Sequence, residues 1–230
     1  MIGWIKNKKR RMSRKALAAE RIVAREIDSD ERPHRAKFWL AMEIVDDEAR
    51  RDERGHIKLY PLPAADGGGQ AEYAGINSRW HPEMFSQLHQ MDPARREISA
   101  AAYIDGYFRK FLKGPWKSPA VEYLMMDACF NRGPGGATVI CQWALRQMGF
   151  VLEADGLWGT KTRGVLAGVQ EDTNEVQEFI RRFREARESY EQASDPVPMI
   201  KKAGRDESSD FWDGLVNRWN ETTTFASSIV

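Results

Sequence analysis

The sequence predicts a mainly α fold of the α+β kind, a helical bundle with one small β-hairpin next to its first helix. Apolar residues recur at helical spacing over most of the chain. Only the stretch 55–77 alternates instead, and it is broken by prolines and glycines. The resulting order, one helix, then a hairpin, then a run of helices, is that of an α+β domain.

The first helix is expected over 34–51, where Phe38, Ala41, Met42 and Val45 form a stripe that Trp39 and Ile44 widen. It should finish near Glu48, where acids and arginines crowd together. His56-Ile57-Lys58-Leu59-Tyr60 then alternates like a strand until Pro61 and Pro63 interrupt it. Asp66-Gly67-Gly68-Gly69 is a turn signal, and Tyr73-Ala74-Gly75-Ile76-Asn77 completes a hairpin or flap. Helices follow at about 82–91, 97–112, 119–131 and, past the Gly133-Pro134-Gly135-Gly136 break, 136–149. A short element at 160–169, a long charged helix at 173–193, a loop at 194–208 and a last helix at 209–220 complete the reading.

Composition narrows the classes of function. Lys plus Arg (35) nearly balance Asp plus Glu (34), so the global charge favours no nucleic-acid partner, and the body of the chain carries no nucleic-acid motif. The basic residues are uneven, however: seven of them fall in 1–15, with no acid among them. Residues 1–33 therefore read as a basic, helical arm ending near Pro33, either solvated or docking on an anionic surface. No run approaches the ~20 apolar residues of a membrane span. Nor does the N-terminus hold the roughly 7–15 apolar residues of a secretory signal, so synthesis in the cytoplasm is expected. Cys129 and Cys141 lie in apolar, helix-like stretches and read as buried free thiols. The histidines at 34, 56, 81 and 89 fit no ligand spacing, and neither metal nor organic cofactor is expected.

Among reactions that need only carboxyl groups, glycoside hydrolysis takes an acid to protonate the leaving oxygen and a second carboxylate as base or nucleophile. A Glu at a helix edge, half covered by apolar neighbours, suits the first role. Glu48 has that position. Asp66 and Glu72, on the glycine-rich segment that follows, both suit the second. On spacing alone all three are equally well explained as surface and turn acids.

Glu48-Ala49-Arg50-Arg51-Asp52, Asp66-Gly67-Gly68-Gly69 and Tyr73-Ala74-Gly75-Ile76-Asn77 together resemble the N-terminal half of the family-108 glycoside hydrolases, which are N-acetylmuramidases. Further similarities follow in order. Asp127-Ala128-Cys129-Phe130-Asn131-Arg132-Gly133-Pro134 resembles that family's helix end, and Gln142 falls where it has Leu-Gln. Asp155-Gly156-Leu157-Trp158-Gly159-Thr160-Lys161-Thr162 is similar to its peptidoglycan-binding segment, and the stretches 179–183 and 211–218 resemble its closing helices. The resemblance spans about 36–220. It departs from the family in having Ala49 after the acid, a longer segment from Glu48 to Asp66, and Glu72 where a Thr is usual.

The resemblance implies a lysozyme-like catalytic domain over 34–150, a peptidoglycan-binding-like helical segment over 151–221 packed on it, and a tail at 222–230. It implies cleavage of the β-1,4 bond between N-acetylmuramic acid and N-acetylglucosamine, with Glu48 as general acid and Asp66 or Glu72 as its partner. Tyr73, Asn77, Asn131 and Trp158 become candidate substrate contacts. Glycan strands of peptidoglycan would be the partner, reached from the cytoplasm through a holin or as part of a phage virion. The alternative is a wall-binding structural component of a virion or envelope machine, with 1–33 and 222–230 as docking segments.

Overall fold

Three helices open on a proline at their first turn, and before two of them a side chain, Asp92 or Ser118, caps the start. The computed structural model describes residues 38–63, 69–114, 116–192 and 212–230. Leu40–Val230 is one compact unit, and of residues 1–39 only Phe38 and Trp39 are described. The basic arm, Asp66 with its two following glycines, and the 194–208 loop therefore lie outside the described residues.

Helix α1 is Phe38–Glu48, with Leu40, Ala41, Ile44 and Val45 buried. The buried face is thus centred on Leu40 and Ile44 rather than on Phe38 and Met42. Glu48 stands one turn beyond Ile44, on that same face. Three short strands follow, β1 (Tyr60–Pro61), β2 (Ala71–Tyr73) and β3 (Ile76–Asn77), paired antiparallel in that order. The hairpin expected between 56–60 and 73–77 is present as the short β1–β2 pair, and the 73–77 segment itself turns back at Ala74-Gly75 to form β2–β3. Tyr60–Pro61 adds a third, edge strand, where a proline without an N–H is tolerated.

Helix α2 is Pro82–Gln90 and α3 is Pro93–Phe111. The spacing had suggested a later start for α3, near 97. The Asp92 side chain accepts from the Ala94 N–H at 2.9 Å and Pro93 presets the first turn, so the helix begins four residues earlier. Helix α4, Pro119–Gln147, is the centre of the fold. Ser118 caps it, and the Gln170 Oε1 accepts from the backbone N–H groups of Lys117 and Ser118 at 3.0 and 3.1 Å. Gly133 (φ 70°, ψ 169°) breaks it into two helical halves, and Pro134 starts the second half as it would start a new helix. The break expected from Gly-Pro-Gly-Gly is therefore present as a kink.

Both halves of α4 are buried almost all round, from Ala120 to Phe130 and from Gly136 to Cys141. Helices α3, α6 (Thr173–Gln192) and α7 (Trp212–Ser227) pack around it, with α6 making the most extensive contact. Helix α7 runs well past 220: Thr222 and Ala226 are buried, and the Phe225 ring meets Tyr123 of α4 edge-on at 4.6 Å. Residues 222–227, which read as tail, are thus part of the bundle. Cys129 and Cys141 are buried free thiols. No helix among the described residues is long and apolar enough to cross a membrane.

Between α4 and α5 (Thr160–Val169) the chain is held by one buried amide, that of Gln142. The two N–H groups of its Nε2 are shared among the Asp155 carboxylate at 2.8 Å, the Leu157 carbonyl at 3.2 Å and the Thr162 hydroxyl at 3.1 Å, while its Oε1 accepts from the Gly156 N–H at 3.0 Å. Gly156 has φ +74°, and a Cβ there would lie 3.3 Å from Val139. Replacing Gln142 by Leu removes the partner of the half-buried Gly156 N–H and those of Asp155 and Thr162, so Gln142→Leu should cost about 2 kcal/mol in urea unfolding. A loss under ~0.5 kcal/mol would show that the 155–162 segment holds itself in place.

Candidate active site

Glu48 ends α1 on its buried face, and two elements close over it. The first is the β2–β3 turn. Ala74 (φ 48°) and Gly75 (φ 76°) both have left-handed backbone between the paired residues Tyr73 and Ile76, the signature of a tight two-residue hairpin turn. A Cβ on Gly75 would lie 2.7 Å from the Phe130 ring and 3.3 Å from the Glu48 carboxyl carbon. Only a glycine both adopts the turn and lets it approach the acid this closely. Phe130 is itself fixed by His81, whose ring stacks on it at 5.7 Å. Tyr103 and Tyr107 meet His81 edge-on, and the Tyr103 hydroxyl is 2.8 Å from its Nδ1. Burial lowers the pKa of His81.

The second element is α7. Arg218 Nη1 donates to the Glu48 carboxylate, and its Nη2 donates to Oδ1 of Asp127. Arg187, on the core face of α6, donates to Oδ2 of Asp127 at 2.6 Å. Four alternating charges from four helices therefore form one chain: Arg187, Asp127, Arg218, Glu48. Asp127 is 1% exposed and Arg187 4%, whereas Arg218 and Glu48 are 17% and 18% exposed, so the chain leads from the core outward. Burial pushes the Asp127 carboxyl up, but the Arg218 and Arg187 guanidiniums outweigh it and hold it below the ordinary carboxylate range. Burial likewise works against the charge of Arg218, and Asp127 and Glu48 outweigh it and raise its pKa.

The other sequence candidates divide among three places. Glu72 stands in the middle strand with Tyr60 and Asn77 as its cross-strand neighbours, so these three side chains share one half-buried face. Asn77 accepts from the Trp80 N–H at 2.8 Å, and Trp80 is 65% exposed beside it. Tyr73 points the other way. It is 3% exposed, its hydroxyl lies 3.1 Å from His89 Nδ1, and Arg96 covers its ring at 4.8 Å; this is a packing position between sheet and α2. Asn131 donates to the Asp127 carbonyl at 2.8 Å and reaches its carboxylate at 3.3 Å, next to the charge chain. Trp158 is far along the sequence from these groups and stacks on Trp116 at 5.6 Å, with its Nε1 donating to the Lys113 carbonyl at 2.9 Å. It closes the junction between α3, α4 and the 155–162 segment.

Asp127, Arg187 and Arg218 are not among the site residues that the sequence points to, yet two of them leave a signal. Asp127 interrupts the apolar run from Ala120 to Phe130, and Arg187 falls on the stripe Val176, Phe179, Ile180, Phe183, Ala186, Tyr190. A charge at a core position requires a partner, and here two acids and two arginines partner one another.

No protein-family model and no curated protein sequence matches the chain. Among solved structures it is similar to SagA of Brucella abortus, with a TM-score of 0.54 and 16% identity over 85% of this chain and 96% of that one. The likeness is one of fold.

Because the pKa of Asp127 is depressed in the folded state, its contribution to stability is complete above its unfolded value of ~3.9 and is lost as pH falls through the folded value. Asp127→Asn should therefore unfold more easily near neutrality, by about 3–5 kcal/mol, and lose less than the unaltered protein as pH drops below ~4. Acid titration followed by circular dichroism checks both; parallel acid-unfolding curves for the two proteins would contradict this account of Asp127.

Proposed function

We propose that the protein is a peptidoglycan hydrolase that cleaves the β-1,4 bond between N-acetylmuramic acid and N-acetylglucosamine, with Glu48 as general acid. One observation carries this reading: a part-exposed glutamate at a helix end, pressed against the glycine turn of a small sheet whose open face carries further polar side chains. The resemblance of its motifs to family-108 glycoside hydrolases supports it, while the likeness to SagA is one of fold.

In this reading Glu48 gives its proton to the glycosidic oxygen as the bond from that oxygen to the anomeric carbon of the muramic residue breaks. Water adds to the anomeric carbon and loses its proton to a second carboxylate, Glu72 or Asp66. Glu72 shares the β-sheet face with Asn77 and Tyr60, and exposed Trp80 offers an indole surface for a sugar ring at the edge of that face. Neither metal nor cofactor is called for by this chemistry. Delivery to the wall by a holin or in a virion, with 1–33 as a docking arm, belongs to the same proposal.

A second reading has its own support. The Glu48 carboxylate is engaged by Arg218, as it would be in a protein that kept the fold and used the acid for structure in a wall-binding component. Glu48→Gln distinguishes the two. As a muramidase, the protein should clear isolated peptidoglycan and release reducing muramic ends, and the variant should lose on the order of 10²-fold or more of that rate. Equal clearing by both proteins would rule out Glu48 as the acid. No clearing by the unaltered protein, together with its sedimentation with peptidoglycan, would establish the wall-binding reading.

A further inference from the structure

We infer that Arg218 is the positioning residue of the reaction centre, holding the Glu48 carboxyl in its working orientation from the last helix of the fold; the inference rests on the muramidase reading above. Glu48 is the final residue of α1, and the chain leaves the helix directly after it. A side chain in that place has rotamer freedom that the helix does not remove. Two contacts remove it. Gly75 bounds the carboxyl on one side by its close approach, and Arg218 Nη1 binds one of its oxygens on another.

The guanidinium is fixed in turn. It is planar, and its two terminal nitrogens bind different carboxylates, so the line from Asp127 to Glu48 passes through one rigid group. Asp127 is a firm anchor because its other oxygen is taken by Arg187 at 2.6 Å, with both groups buried in the core. Asp127 thus has a cation whether or not Arg218 is present, and neutralising Asp127 does not require Arg218. What Arg218 alone supplies is the bridge from that anchor to Glu48. When Glu48 has given up its proton, the same guanidinium faces the carboxylate that remains, so the contact serves the charge formed in the transition state as well as the geometry before it.

The consequence is that α7, in the segment that reads as wall-binding, completes the reaction centre. Arg218→Lys keeps the charge but cannot bind two carboxylates through a planar fork. It should fold with an unchanged circular dichroism spectrum and lose about 10- to 100-fold in kcat on soluble, uncrosslinked glycan strands, with KM little changed. Arg218→Ala should lose at least as much and regain part of its rate when guanidinium ion is added well below denaturing concentration. In thermal unfolding, Glu48→Gln and Arg218→Ala should together lower the Tm by less than the sum of their separate effects.

Full activity in Arg218→Lys, or no rescue of a folded Arg218→Ala by guanidinium, would overturn the positioning role while leaving the muramidase reading intact. Strictly additive Tm changes would overturn the contact itself. If the unaltered protein releases no reducing ends, it is the muramidase reading that falls, and a role for Arg218 in that reaction falls with it.

Discussion

Asp127 is buried in the middle of the central helix with a guanidinium on each of its oxygens, and much of the architecture follows from accommodating it. A carboxylate moved into the core without a partner would cost several kcal/mol, so a neighbouring helix must present an arginine at its level of α4, and both α6 and α7 do. That pairing fixes the rotation and height of two helices against a third. It also brings a second cation, Arg218, more than it needs for neutrality, and this surplus reaches outward to Glu48. Buried charges of this kind often stabilise no more than apolar packing of the same volume would, and leaving one unpaired is costly.

The two halves of the chain meet through polar contacts as well as apolar ones. Gln142 gathers the 155–162 segment onto α4, Gln170 caps the start of the same helix, and Arg132 pairs with Glu191 of α6. Each joins a residue of the 34–150 stretch to one beyond it. The C-terminal helices consequently contribute to the surroundings of Glu48 as directly as the sheet does, and a division into catalytic and wall-binding parts does not follow the lines of contact.

Much of this was legible in sequence because it depends on local rules. The starts of α2 and α4, the Gly133 break and the run of α6 are each encoded within a few residues, whereas the left-handed turn at Ala74-Gly75 lies inside a segment that reads as one strand. The start of α3 was displaced because Asp92-Pro93 is a boundary signal that periodicity alone passes over. The end of α7 was misplaced because Thr222, Thr223 and Thr224 read as polar chain, whereas Thr222 is buried and all three return their hydroxyls to carbonyls of the preceding turn. Glu48 was found through its place before the hairpin. Its partners were not, because pairing among Glu48, Asp127, Arg187 and Arg218 is a property of three-dimensional packing that no spacing expresses.

The link from Glu48 to Arg218 spans 170 positions of the chain. Closing so long a loop costs conformational entropy that local contacts cannot offset, so this contact belongs to the late, topologically demanding part of folding. It is equally exposed to partial opening: a fluctuation that lifts α7 alone would separate the two groups while α4 and α6 stayed packed. The chemical competence of such a centre would then report on the docking of one helix, and would fade on warming before the bulk of the secondary structure melted.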